Sequence, residues 1–109
     1  MMREWIKLDL GPALQRAGYG KDKIKLMMLD DNTDMLEYFA GTVLSNHEAD
    51  RYVDGIAIHW YQNNRVGYGG IKRTREKFPK KFILSTEACE GFLHDSPKGV
   101  LIFSKTDAS

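Results

Sequence analysis

The chain has 109 residues and sets 16 Lys and Arg against 15 Asp and Glu, a formal charge of +1. That length allows one modest domain or a piece of a larger one, and the charge balance lacks the basic surplus that phosphate-backbone binding requires, so no nucleic-acid partner is expected. No apolar run approaches the roughly 20 residues that cross a bilayer, Lys7 and Asp9 interrupt the first apolar residues where a signal peptide needs a continuous stretch, and a single cysteine, Cys89, excludes a disulfide framework or a cysteine-built zinc cage.

Met2, Trp5, Ile6, Leu10, Ala13, Leu14 and Ala17 recur at helical spacing, with a break expected at Gly11-Pro12. Gly18-Tyr19-Gly20 predicts a turn. Ile24 to Leu29 reads as a buried strand, followed by Asp30 and Asp31, with Asn32 or Thr33 placed to cap the next helix. Met35, Leu36, Phe39, Ala40 and Val43 supply that helix's inward stripe, and His47 to Val53 predicts a further helical turn or two. Gly55 to Trp60 is a second apolar strand. Gln62 to Gly70 reads as a loop, Ile71 to Phe78 as a basic helix stopped by Pro79, and Lys81 to Thr86 as a third strand ending at Glu87. Beyond Gly91 the character changes: Gly91 to Gly99 is loop-like, Val100 to Phe103 is a short β-prone run, and Ser104 to Ser109 is a polar tail.

Apolar strands alternating with helices imply an α/β fold with a parallel sheet and right-handed crossovers. About three consecutive β/α units are visible, and Asp30, His59 and Glu87 mark their strand ends at spacings of 29 and 28 residues. Three strands are too few to close a barrel, which takes eight. An open three-stranded sheet complete in itself would leave two apolar edges unpaired, so a section of a larger barrel explains the pattern better. Parallel sheets carry their chemistry at the carboxyl ends of the strands.

Those ends offer Asp30-Asp31, His59-Trp60-Tyr61 and Glu87. An ionised Glu87 at a barrel mouth can attack an anomeric carbon, although a solvated strand-end acid serving as a helix cap fits the spacing equally well. Asp30 and Asp31 can accept hydrogen bonds from sugar hydroxyls, and an Asp-Asp pair is also an ordinary turn signature. His59 can donate to a hydroxyl or a carboxylate, or serve the structure alone. Trp60 and Tyr61 offer flat faces that suit a sugar ring, as well as surfaces to pack under a helix. A metal-dependent hydrolase using Asp30, Asp31, His59 and Glu87 as oxygen-rich ligands is an alternative, but no His-x-His pair accompanies them. Cys89 reads as a small buried hydrophobe rather than a reactive thiol.

Several longer stretches carry a resemblance. Arg3-Glu4-Trp5-Ile6-Lys7-Leu8-Asp9-Leu10-Gly11-Pro12-Ala13-Leu14 looks like the helix before the fifth strand of lysosomal acid glucosylceramidases. Leu26-Met27-Met28-Leu29-Asp30-Asp31 resembles that family's fifth strand, and Tyr52-Val53-Asp54-Gly55-Ile56-Ala57-Ile58-His59-Trp60-Tyr61 its sixth. Phe78-Pro79 followed by Ser85-Thr86-Glu87-Ala88-Cys89 resembles the seventh. The resemblance covers about residues 3–91 and divides the chain into a partial (β/α)8 TIM-barrel segment, 1–91, and a divergent tail, 92–109.

What the resemblance implies is a retaining β-glucosidase that hydrolyses the glycolipid glucosylceramide to glucose and ceramide. Glu87 would be the nucleophile, and Asp30, His59, Trp60 and Tyr61 would surround the substrate. No cofactor and no metal would be needed. The family's acid/base glutamate stands in an Asn-Glu-Pro motif that this chain does not contain. The chain is therefore expected to carry half of a catalytic pair and to be inactive alone, or to be a non-catalytic product that folds against a partner. The resemblance also implies a lysosomal setting, although unaided targeting is not expected without a signal peptide. The basic stretch Lys72, Arg73, Arg75 and Lys77 reads as a solvated helix face that can also meet an anionic membrane surface.

Overall fold

The computed structural model of the protein describes residues 1–89, so the expectations for Gly91 to Ser109 lie outside the described residues. The chain enters as α1 (Met2–Trp5), a π-helical turn (Ile6–Leu10) and α2 (Gly11–Arg16), which run on from one another without the expected break. Pro12 cannot donate a backbone hydrogen bond, and its ring would crowd the carbonyl one turn back. The wider turn takes up this conflict: the Gly11 N–H reaches the Ile6 carbonyl, five residues back, and the helix continues. Gly18, at φ 81°, then turns the chain as expected.

Three parallel strands follow in the order β1-β2-β3: β1 (Met27–Asn32), β2 (Gly55–His59) and β3 (Phe82–Glu87). The crossover from β1 to β2 is made by α3 (Leu36–Leu44) and α4 (His47–Asp50), and that from β2 to β3 by α5 (Asn63–Val66) and α6 (Gly69–Lys77). Strand β1 starts three residues later than expected and runs through Asp30, Asp31 and Asn32. Of the two presumed caps Asn32 is therefore strand and Thr33 lies in the turn after it, and Met35 occupies the N-cap of α3 with no side-chain cap. Asn46 does cap α4, accepting from the Ala49 N–H at 3.0 Å. The expected loop at 62–70 contains α5 and the first turn of α6.

Met28, Ile56 and Ile83 lie in register across the sheet and face the helices, where Leu36, Ala40, Val43, Leu44, Ala49 and Val53 complete the core with Ile6. Burying each large side chain in this layer contributes about 1.5–3 kcal/mol. The alternate residues belong to the other face, because side chains along a strand point to opposite sides. On that face Phe82 and Leu84 remain 39% and 50% exposed. A closed barrel would enclose this face, and it leads upward to His59 and Glu87.

Gly55 sits opposite Phe82 in the register, and a Cβ there would overlap the Phe82 ring. Gly55→Ala is expected to lower stability by about 1–3 kcal/mol through overpacking. Urea denaturation checks this, and the loss should shrink in a Phe82→Leu background.

Lys81 belongs by sequence to the basic run after α6, yet it is buried. Its Nζ donates to the carbonyls of Asp50 at 2.9 Å and Val53 at 2.6 Å, and lies 2.9 Å from Asp50 Oδ1. It thus closes the carboxyl end of α4 and ties the start of β3 to the segment entering β2.

Candidate active site

Two irregularities at the carboxyl end of the sheet build the site. In β1, Leu29 pairs with Ala57 and Asp31 with Ile58, so Asp30 is an extra residue pushed out of the ladder. Leu29 and Asp30 adopt φ values of 77° and 58°, left-handed backbone that costs about 1–3 kcal/mol per residue and that aspartate tolerates better than leucine. In β3, Ser85 pairs with Ile58 and Glu87 with His59, which extrudes Thr86 in the same way. Bulges of this kind re-aim side chains beside active sites. Here one bulge stands on each side of β2, that of β1 opposite the Ala57–Ile58 step and that of β3 opposite the Ile58–His59 step.

The extruded residues meet. Thr86 Oγ1 donates to Asp30 Oδ1 at 2.8 Å, and His59 Nε2 lies 3.0 Å from the same oxygen. His59 Nε2 is also 3.5 Å from Glu87 Oε2. Tyr61, one turn past β2, donates its hydroxyl to Glu87 Oε1 at 3.0 Å and accepts from the Cys89 N–H at 2.9 Å. Each Glu87 oxygen thus faces a different side chain from the β2 end. The His59 and Tyr61 rings stand edge to face at 6.1 Å, and Trp60 is tilted against Tyr61 at 6.3 Å with its ring 38% exposed.

The Thr86 hydrogen bond, and after it the His59 hydrogen bond, hold the Asp30 carboxyl below its usual range. Asp30 therefore stays ionised, and this contribution to stability is present above the ordinary aspartate pKa and is lost as pH falls through the lowered one. The Tyr61 hydroxyl is pushed up to about 12, first by the Cys89 side chain beside it and then by burial. Tyr61 is accordingly a protonated donor to Glu87 throughout the physiological range.

Asp30, His59, Tyr61 and Glu87 are thus brought together, and Trp60 flanks them. Asp31 is not part of the cluster: its Oδ1 accepts from the Asn32 backbone N–H at 2.7 Å. Among the described residues no group of three His, Cys, Asp or Glu is arranged to hold a metal ion. Cys89, expected to be buried, is exposed, because β3 has ended and the chain leaves the sheet beside Tyr61. Thr86 escaped the sequence reading. A threonine on a strand is ordinary, and only the bulge gives it a role.

The basic helix is less free than its composition suggests. Arg73 makes a bidentate pair with Glu37 of α3, with distances of 2.6 and 3.0 Å, which holds the Glu37 carboxyl below its usual range. Arg75 donates to the carbonyls of Pro79 and Lys81, both at 3.1 Å. Lys77 lies over the Phe78 ring at 5.4 Å, and Lys72 pairs loosely with Glu76 at 4.0 Å.

Comparison with known proteins agrees with this architecture. The chain is 47% identical over 90 residues to a Caenorhabditis elegans protein that carries the name glucosylceramidase 1, covering 83% of this chain and 17% of that protein. It is 40% identical over 90 residues to the lysosomal acid glucosylceramidase of Mus musculus, covering 82% of this chain and again 17% of the relative. The chain thus spans about a sixth of the length of these relatives. Among solved structures, SrfJ from Salmonella typhimurium has the same fold, with a TM-score of 0.71 and 24% identity over 85% of this chain and 20% of SrfJ. The model of the glycosyl hydrolase family 30 TIM-barrel domain matches residues 1–100, and the chain belongs to that family.

Proposed function

We propose that this chain is the part of a retaining β-glucosidase that carries the nucleophile, Glu87, and that the complete enzyme hydrolyses glucosylceramide. One observation carries the reading. Glu87 ends β3 at the mouth of a parallel β/α sheet, with the Tyr61 hydroxyl on one carboxylate oxygen and His59 beside the other. In this role one carboxylate oxygen attacks the anomeric carbon from below the sugar ring. The bond to the leaving oxygen breaks, and a covalent glucosyl-enzyme forms. Tyr61 aims the carboxylate, Asp30 and His59 meet sugar hydroxyls, and the open face of Trp60 lies against the ring.

A retaining mechanism needs a second carboxyl about 5–5.5 Å from the first, protonated when the leaving group departs. Asp30 shares His59 with Glu87 but is held ionised, the opposite of what that acid requires. Asp30 is therefore not that acid; in this reading the acid is the Asn-Glu-Pro glutamate that the family resemblance implies and this chain does not contain, and the 109-residue chain alone is inactive.

The test places this segment in the mouse lysosomal acid glucosylceramidase in exchange for the 90-residue stretch that it matches. A 2-deoxy-2-fluoroglucoside with a good leaving group should trap the intermediate, and peptide mass mapping should find the adduct on Glu87. An adduct on another residue, or turnover without one, overturns the reading.

The relative's name brings a lysosomal setting and a lipid substrate into the same reading. An anionic membrane surface would meet α6 chiefly through Lys72 and Lys77, since Arg73 and Arg75 are engaged internally. At about 1 kcal/mol for each basic residue, binding should be weak, specific for anionic liposomes and abolished by salt. Binding that survives high salt, or that neutral liposomes match, removes this part.

A further inference from the structure

We propose that Thr86 is a positioning residue for Glu87, acting through Asp30 and His59. The inference rests on the glycosidase reading and extends it to a side chain that does not touch the sugar. The geometry is specific. Asp30 stands on left-handed backbone at the edge of the sheet, and its side chain is 70% exposed. Left to itself, such a carboxylate would sample several rotamers in water. Two donors converge on its Oδ1: the Thr86 hydroxyl at 2.8 Å and His59 Nε2 at 3.0 Å. The Thr86 contact spans the full width of the sheet, from the bulge in β3 over β2 to the bulge in β1. It exists only because both outer strands extrude one residue beside Ile58, one step apart along β2.

The consequence reaches Glu87 through His59. A single imidazole nitrogen has at most one N–H to give, and His59 Nε2 lies between two carboxylates, 3.0 Å from Asp30 and 3.5 Å from Glu87. With Asp30 latched by Thr86, the Nε2 proton goes to Asp30, and Glu87 Oε2 keeps its lone pairs for the anomeric carbon. Without the latch Asp30 swings into water and the N–H turns to Glu87, where a hydrogen bond to the charged form weakens the nucleophile. Thr86 need not contact substrate, but Asp30 in the reading above meets sugar hydroxyls, so loss of the latch lowers kcat and weakens substrate binding together.

Two measurements test this, with Thr86→Val to remove the hydroxyl while keeping shape and strand preference, and Thr86→Ser to keep it. In the 109-residue chain, carbon NMR of the Asp30 carboxyl should show its titration midpoint moving upward in Thr86→Val and staying in place in Thr86→Ser. An unmoved midpoint in Thr86→Val overturns the latch. In the exchange protein, Thr86→Val should lower kcat/KM about tenfold, with kcat itself falling, and Thr86→Ser should recover most of that loss. If Glu87→Gln abolishes activity there while Thr86→Val turns over like the parent, the inference is overturned and the glycosidase reading stands. If Glu87→Gln retains activity, the glycosidase reading falls and the positioning role falls with it, whatever the Asp30 titration shows.

Discussion

Glu87→Gln in the exchange protein should reduce kcat by about 10⁴-fold or more, the scale of loss when a covalent nucleophile is removed. The substitution is nearly isosteric. Its amide oxygen can still accept from Tyr61, so the end of β3 keeps its tether while the attacking oxygen is lost. That separates chemistry from folding: thermal stability should change little while turnover disappears. Added azide should restore part of the rate by attacking the anomeric carbon from the face that Glu87 serves, giving an α-glucosyl azide. Retention of activity within about tenfold of the parent would sink the assignment. A companion result is expected from the 109-residue chain itself. It should not turn over an aryl β-glucoside, and turnover that Glu87→Gln abolishes would show that the acid lies within this chain after all.

Lys81→Met should lower stability by about 2–4 kcal/mol, because the carbonyls of Asp50 and Val53 each lose a buried donor. Methionine fills most of the volume, so the loss reports hydrogen bonding rather than a cavity. Against a total of roughly 5–15 kcal/mol for an ordinary domain, a change of this size moves a denaturation midpoint far enough to measure by circular dichroism in urea. A change under about 0.5 kcal/mol would mean that water satisfies these carbonyls and that the lysine is not a structural tie.

Strands β2 and β3 were legible to within a residue or two because glycine or proline precedes each apolar run and the polar residues at their tips end it. Strand β1 was displaced for a physical reason. Its last three residues, Asp30, Asp31 and Asn32, have turn chemistry, and the left-handed backbone at Leu29 and Asp30 is held by His59 and Thr86 from other strands. No local window contains that information. The same holds for Gly69 and Gly70: glycine disfavours helix, yet both lie in α6, which the Arg73 pair with Glu37 ties to α3. The site residues that end strands were readable from their positions. Thr86 was not, since its place comes from an extruded register, and the tie made by Lys81 was not legible either, because composition does not show which carbonyls a lysine can reach.

The widened turn at Ile6–Leu10 makes a prediction about deletions. A ring closed over five residues stores one residue more than an α-helical turn of the same height. Removing one of the residues between Ile6 and Gly11 would restore ordinary helical winding with little change of phase between what precedes the cut and α2, whereas the same deletion in a regular α-helix rotates one part against the other by about 100°. Ile6, nearly fully buried at 2% exposure, would stay in the core, but the Pro12 ring would again crowd the carbonyl one turn back. The spare residue therefore works as slack: it lets a proline-bearing helix run on unbroken, and shortening the helix there should prove milder than the same deletion one turn to either side.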